Sequence, residues 1–436
     1  KEVLDGDEGC YLLPVKEETG YAQAALTEPW ACVTASYNIA YRIGWKPGGR
    51  ALIAAGPGAL EKRELGTAYP AGQPPGQVVT MGVAGALLDE LRARAADDGF
   101  ELSAASEADL LGAAAADGEK GFDDIVLLGT DVALFERVQP LANKSGVINL
   151  VGSQALEGTA QVDVGRLHYD GLSLTGTTGP TIAAAYAPMR TELLPRGRAA
   201  FIGAAGPMGQ MHVQRALQSE QGPSLLVATD LVAERLGVLE TKFAQLIEAK
   251  RGISDLVVRV PGDSSPDEFN AGLLALTEGE GFNDMVVLAP SPRVVAGAVG
   301  MLAPGGVMSI FAGLVRGSMA PIDLGIVVDQ GVRFTGSSGS TIHDLRAMLN
   351  LAETGRLDPN LSVAAVAGLS GVKDGLAGVI HQGFPGKVEI YLQILELPVT
   401  TLPELESVLP SVYAKLGPNH SWTVEAETEF LRELLP

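Results

Sequence analysis

Residues 197–230 read GRAAFIGAAGPMGQMHVQRALQSEQGPSLLVATD. The short apolar run 198–202 predicts a strand. Gly203, Gly206 and Gly209 then mark a tight turn, residues 208–218 can be helical, and 225–229 predict a second buried strand that ends at Asp230. Strand, glycine turn, helix, strand and acid, in that order, is the layout of a dinucleotide-binding unit. Gly206 lets the backbone approach a pyrophosphate, and Gly209 lets the helix pack close to the strand. The free N–H groups at the helix start attract phosphate. The backbone of Gly203, Ala205, Gly206, Pro207, Met208 and Gly209 would line such a ligand, and Asp230 stands at the usual spacing for a carboxylate on the adenosine ribose. Ala204 replaces the first glycine of the six-residue window that ends at Gly209. A tight strand-to-helix turn with no ligand therefore stays open as an alternative.

The same unit occurs twice. Residues 121–128, GFDDIVLL, return as GFNDMVVL at 281–288, an offset of 160. The offset persists through Gly146 and Gly306, Asp163 and Asp323, Gly171 and Gly331, and Thr181 and Thr341. Upstream, Gly49-Arg50-Ala51 parallels Gly197-Arg198-Ala199, and the strand 78–81 parallels 226–229. A fixed register over this length means two copies of one folding unit, each alternating strands with helices around a parallel sheet. The copies span about 46–193 and 194–345. In the first, Ala59 stands for Gly209, Gly82 stands for Asp230, and the run 60–64, LEKRE, brings acids to a place where they would repel phosphate. It reads as a degenerate nucleotide fold kept for structure, or as a site for another ligand.

Composition bounds the remainder. The chain has 436 residues, 46% of them apolar, and a net charge of −21. That charge argues against nucleic acid or an anionic membrane as partner and fits a cytoplasmic protein. Its N-terminal stretch is acidic and polar, without the pattern of a signal peptide. Cys10 and Cys32 are too few for a disulfide framework, and the five histidines show no metal-ligand spacing. Residues 20–41 are helix-compatible and apolar, with Pro29 interrupting them. Residues 372–380 predict a helix, 386–391 a strand, and 403–436 two short amphipathic helices around His420 and Trp422.

Three stretches make the chain resemble the medium-chain dehydrogenase/reductase family, which includes zinc alcohol, sorbitol and threonine dehydrogenases. They are Tyr11-Leu12-Leu13-Pro14 with Ala24-Ala25-Leu26-Thr27-Glu28-Pro29, the fingerprint Gly206-Pro207-Met208-Gly209, and Gly355-Arg356-Leu357 through Gly386-Lys387-Val388-Glu389-Ile390-Tyr391. The resemblance, to the sugar and sugar-phosphate branch, covers most of residues 11–395. It implies an α/β fold with a Rossmann-type cofactor domain at 194–345; the internal repeat makes this two tandem Rossmann-type domains, with the copy at 46–193 an extra one beyond the family's usual plan. Around them, 1–45 and 346–436 would be remnants of a GroES-like, β-rich catalytic domain. It implies NAD as cofactor, since Asp230 disfavours a 2′-phosphate, and a polyol, sugar or sugar phosphate as substrate. The loops at Pro290, Phe311 and Ser337 match places that contact ribose and nicotinamide. Glu28 matches a glutamate near or on the catalytic zinc, and reads equally well as a helix or turn acid before Pro29. Zinc is implied by the family but not supported by the residues present. Family members usually carry a hundred or more residues before the Tyr-Leu-Leu-Pro stretch, where ten stand here. A fragment, a processed product or one part of a split enzyme is therefore expected.

That family dimerises by pairing edge strands of two cofactor domains. A tandem copy predicts the same contact within one chain, with 171–175 antiparallel to 331–335. Any homo-oligomer would then use another surface.

Overall fold

A computed structural model of the chain describes residues 12–56, 59, 63–110, 121–152, 158–381 and 383–435. Cys10, Tyr11, Pro57, Gly58 and the run 60–62 lie outside the described residues. In chain order the strands are β1 (Arg50–Ala55), β2 (Gln77–Met81), β3 (Glu101–Ala104), β4 (Phe122–Leu128), β5 (Ala142–Val151), β6 (Ala160–Asp163) and β7 (Ser173–Thr177). Then come β8 (Arg198–Ile202), β9 (Leu225–Thr229), β10 (Asp255–Arg259), β11 (Phe282–Val287), β12 (Leu302–Ile310), β13 (Met319–Ile322), β14 (Arg333–Gly336), β15 (Val363–Gly368), β16 (Lys387–Tyr391) and β17 (Thr400–Thr401). Among the helices are α1 (Tyr21–Ala35), α2 (Val164–Tyr169), α3 (Pro207–Gln218), α4 (Ala233–Lys242), α5 (Ile342–Glu353) and α6 (Val424–Leu434). Among the described residues no helix is long and apolar enough to cross a membrane.

The chain divides into two compact units. A terminal unit is drawn from Lys1–Tyr37, Leu193–Asp263 and Gly339–Pro436, and a middle unit from Asn38–Glu192 and Ser264–Ser338. In the middle unit the strand order is β11-β12-β14-β7-β5-β4-β1-β2-β3. Neighbours run parallel except at one seam, where β14 meets β7 antiparallel with Phe334 opposite Leu174. This is the pairing expected between 171–175 and 331–335. A short antiparallel ribbon of β13 and β6 lies in the same unit. The terminal unit holds a parallel sheet, β10-β9-β8, and a small mixed sheet, β16-β15-β17.

Positions 160 apart share backbone conformation in the middle unit. Ser145 and Gly305 have φ of +59° and +70°, and Gly171 and Gly331 have +59° and +67°. Ser145 N–H donates to Asp170 O at 2.6 Å and Gly305 N–H to Gln330 O at 2.7 Å. An ion pair recurs as well. Arg42 Nη1 meets Asp124 Oδ2 at 2.7 Å and Arg190 Nη1 meets Asp284 Oδ1 at 2.5 Å. In each case Nη2 donates to the carbonyl one residue earlier, at Asp123 and Asn283. Both aspartates are buried. The turns that come after the arginines, at Gly48 and Arg196, have φ of +65° and +58°.

In the terminal unit α1 runs unbroken through Pro29, where the sequence suggested an interruption. Proline inside a helix forfeits a backbone hydrogen bond. Tertiary contacts outweigh that loss: Leu26, Trp30, Ala31 and Val33 are buried, and Trp30 Nε1 donates to Ser362 Oγ at 3.1 Å. The start of α1 is capped from far along the chain. Glu427 of α6, 3% exposed, accepts from Tyr21 N at 2.5 Å, Ala22 N at 2.8 Å and Tyr391 Oη at 2.7 Å. Helix N-termini favour such a charge. The tail forms Leu405–Val408, Pro410–Tyr413 and α6, three helices rather than the expected two, because Pro410 restarts the helix after Leu409 leaves helical geometry. Trp422 is buried against Tyr391 and Phe430, and His420 stacks on Tyr413.

Replacing Glu427 by Ala leaves two helix N–H groups and a buried phenol without their acceptor. Glu427→Ala should lower stability by roughly 2–4 kcal/mol, measured by urea unfolding. A loss under about 0.5 kcal/mol would mean that water replaces the cap.

Candidate functional site

The glycine turn joins β8 to α3 within the terminal unit. Gly203 takes φ +88°, and the N–H groups of Gly203 and Ala204 both donate to Thr229 O, at 2.9 and 2.8 Å. This binds the turn to the end of β9. Gly209 is confined: a Cβ there would lie 2.6 Å from both Cα and O of Ala204. The close contact is therefore with the turn itself rather than with the strand, and even a methyl group does not fit. Gly206 is open, with nothing within 4 Å of an added Cβ. It is the N-cap of α3, Pro207 follows it, and Met208 is half-buried. An open glycine at a helix N-terminus, over a turn fixed from beneath, is a cradle that an anionic ligand can approach.

Asp230 completes this cradle. Its Oδ2 accepts from Ala205 N at 3.0 Å and its Oδ1 from Val232 N at 3.3 Å. A carboxylate offers about four acceptor positions, so these two donors do not saturate it. Gln210 Nε2 holds Ala205 O at 3.0 Å, and Lys242 Nζ at the end of α4 donates to Gln210 Oε1 at 2.8 Å. Burial pushes the Lys242 ammonium down to about 8. Gln210 and Lys242 were missed in the sequence, because only the fold brings α4 to the helix start.

In the middle unit, Pro290, Phe311 and Ser337 each follow the carboxyl end of a strand, β11, β12 and β14, which run parallel side by side. Phe311 N and Ala312 N both donate to Val287 O, at 3.0 and 2.9 Å. The buried Ser337 Oγ has no hydrogen-bond partner among the described residues.

Within 46–193, the segment that aligns with this fold is filled by its own chain. Gly82, which replaces the acid, takes φ +69°, and a Cβ there would fall 2.9 Å from Ala55 O. An aspartate does not fit that backbone. Ile182 and Tyr186 are buried in the core beside Ile53, Leu65, Leu128 and Val151. Arg63 donates to Gly179 O at 2.7 Å, and Glu64 bridges to Thr181.

Glu28 lies exposed on α1, one turn before half-buried Cys32, whose Sγ donates to Glu28 Oε1 at 3.2 Å. Burial and Glu28 push the Cys32 thiol up to about 11, against the pull of Ser340 and Lys387. A thiol held protonated beside one carboxylate and a lysine does not suit zinc. Among the described residues no group of three or more His, Cys, Asp or Glu could hold a metal ion. On the neighbouring strand, burial and then the charge of Glu427 push Glu389 up to about 7, against the pull of Lys387.

No family model matches the chain. The L-sorbose 1-phosphate reductase of Klebsiella pneumoniae is 28% identical over 239 residues, covering 54% of this chain and 55% of that protein. The mannitol-1-phosphate 5-dehydrogenase of Aliivibrio fischeri is 24% identical over 245 residues, covering 54% of this chain and 56% of that protein. The chain thus spans about half the length of the curated relatives it matches. Among solved structures, alcohol dehydrogenase TADH from Thermus sp. ATN1 is 23% identical and covers 46% of this chain and 54% of that one, with a TM-score of 0.36. Over about half of the chain, the similarity is to sugar-phosphate reductases and dehydrogenases, in line with the branch that the sequence resembles.

The two glycines should separate. Gly209→Ala should cost roughly 1–3 kcal/mol of stability through its clash with Ala204, while Gly206→Ala should melt within a degree or so of wild type. Equal melting temperatures for both would contradict the confinement at Gly209. Glu389 gives a pH signature. Its folded pKa lies above the ordinary value of 4.5. Its contribution is therefore fully present below that value and lost as pH rises through about 7. Glu389→Gln should be more stable than wild type by on the order of 2 kcal/mol at about pH 8 and level with it near pH 4. A difference independent of pH would show that ionisation is not what costs stability.

Proposed function

We propose that the chain is part of an NAD(H)-dependent oxidoreductase that interconverts a hydroxyl and a carbonyl on a sugar or polyol phosphate. The observation that carries this reading is the hydrogen bond from Ala205 N to Asp230 beside the open Gly206 at the start of α3. It joins the phosphate cradle and the ribose acid in one preformed arrangement. The names of the relatives, a sugar-phosphate reductase and a polyol-phosphate dehydrogenase, support the substrate class.

In this reading the pyrophosphate lies on the N–H groups at the start of α3 and Asp230 accepts from the adenosine ribose. A 2′-phosphate would face that carboxylate, which favours NAD over NADP. The loops at Pro290, Phe311 and Ser337, in the middle unit, are the places that the resemblance assigns to ribose and nicotinamide. Bound nicotinamide supplies hydride transfer, and the chain's own residues bind and orient it. Glu28 is the carboxylate offered to the substrate side; the zinc of the resembled family does not fit the residues around it.

The proposal includes a tandem duplication, with a structural copy at 46–193 and a cofactor-binding copy at 194–345. The repeated Arg42–Asp124 and Arg190–Asp284 ion pairs support it. Segments 1–45 and 346–436 then belong to a catalytic part of GroES-like ancestry. The acidic charge and the two cysteines favour the cytoplasm.

Fluorescence titration tests the cofactor. Asp230→Ala should weaken NADH by one to two decades, the loss of about 1.5–3 kcal/mol of charge-assisted hydrogen bonding, and should narrow the preference over NADPH. Unchanged affinity for both would remove Asp230 from the site. NAD reduction with hexitol phosphates tests the reaction. NADH binding without turnover of any of them would favour a non-catalytic dinucleotide-binding or assembly protein.

A further inference from the structure

The peptide between Ala205 and Gly206 leads into the open start of α3, and Ala205 is held from both sides. Its N–H donates to Asp230 Oδ2 at 3.0 Å, and its carbonyl accepts from Gln210 Nε2 at 3.0 Å. A peptide unit is planar, so holding the Ala205 carbonyl also sets the direction of the Gly206 N–H. Gln210, 3% exposed on α3, is held in turn by Lys242 at the end of α4, whose Nζ donates to Gln210 Oε1 at 2.8 Å. The same amine donates to Pro385 O at 3.4 Å, just before β16. A Cβ at Gly386 would fall 2.6 Å from Ser362 O and 3.3 Å from Nζ, so the chain closes on the amine from that side as well. All of these residues belong to the terminal unit.

Two features separate this arrangement from plain packing. An ammonium only donates hydrogen bonds and a carbonyl only accepts them, whereas a side-chain amide does both. Lys242 therefore requires the oxygen of Gln210, the Ala205 carbonyl requires its nitrogen, and together they fix one orientation of the amide. The second feature is that the cation has no counter-charge. Among the described residues no carboxylate pairs with Lys242, and burial alone lowers its ammonium. Taking a charge out of water without a partner is costly, and an apolar side chain of similar volume fills such a place at less cost. An apolar side chain supplies no donor, and a neutral polar one can turn either way. A group that donates and cannot accept is what the amide needs behind it.

We propose that Lys242 is a positioning residue for the pyrophosphate of the dinucleotide, acting through Gln210 on the peptide between Ala205 and Gly206. This rests on the NAD(H) reading and adds to it a determinant of phosphate binding that lies behind the cradle rather than in it. A cradle peptide oriented beforehand spares the ligand the entropy of ordering it.

The test uses ADP-ribose, which carries the adenosine and the pyrophosphate without nicotinamide. It is titrated by calorimetry into the full chain at neutral pH, below the value of about 8 at which Lys242 gives up its proton. Lys242→Met and Gln210→Met should each weaken ADP-ribose roughly fivefold. The double variant should stay within about twofold of the weaker single one, because the lysine acts through the glutamine. Lys242→Arg, which likewise only donates, should recover most of the loss. Unchanged affinity in Lys242→Met, a Lys242→Arg no better than Lys242→Met, or losses that multiply in the double variant would overturn the positioning role; a lysine that attracted the phosphates directly would not need Gln210. Should Lys242→Met fail to fold, Gln210→Glu carries the test. It gives the amine a counter-charge and turns an oxygen, not a nitrogen, toward the Ala205 carbonyl. It should melt no lower than wild type and weaken ADP-ribose roughly tenfold, and wild-type affinity in that variant counts against the proposal. Wild-type protein that binds neither NADH nor ADP-ribose would sink the NAD(H) reading and this proposal with it, a result distinct from binding that ignores Lys242.

Discussion

The antiparallel seam between β14 and β7 constrains everything around it. Strand edges left open invite pairing with other chains, and here the two edges close on each other. The closure is tight. A Cβ on Gly336 would fall 2.2 Å from Leu167 O, and one on Gly176 would fall 3.1 Å from Val328 Cγ2 and 2.9 Å from O of Leu150 on neighbouring β5. No side chain fits at either place without moving backbone. α2 is thereby pressed toward β12 and β14, and the loop after β12 has no freedom to find its own position.

The two copies respond differently to this shared frame. Frame positions are coupled: Asp124 and Asp284 are buried and each needs its arginine, and an unpaired buried charge is far more costly than a missing pair. Such positions recur across the repeat. The positions aligned with the glycine turn and Asp230 do not: Gly82 has a left-handed backbone, and Ile182 and Tyr186 lie in the core.

This division also sets what the sequence could reveal. The glycine turn, Asp230, the strands of both copies and the seam were legible, because each rests on short-range spacing or on a register that repeats. The unbroken α1 was not: propensity argues for a break at Pro29, and buried Trp30 with its Ser362 partner overrides it. The Glu427 cap was invisible, since a buried glutamate on an amphipathic helix reads as a solvated charge until the fold carries it to Tyr21. Gly209 was picked out by its spacing, but the contact that confines it lies in the turn and not between helix and strand.

The glycine turn and the loop 311–318 show the same contrast. The glycine turn is set by an acid 25 residues away through Ala205 N. Nearby partners leave a pattern in the sequence, and they also order the turn before any ligand arrives. The loop 311–318 is set by partners 142 to 154 residues away. Their types, a histidine (His168) and two aspartates (Asp163 and Asp170), carry no local signal, and at the repeat offset only Asp163 meets the same residue, Asp323.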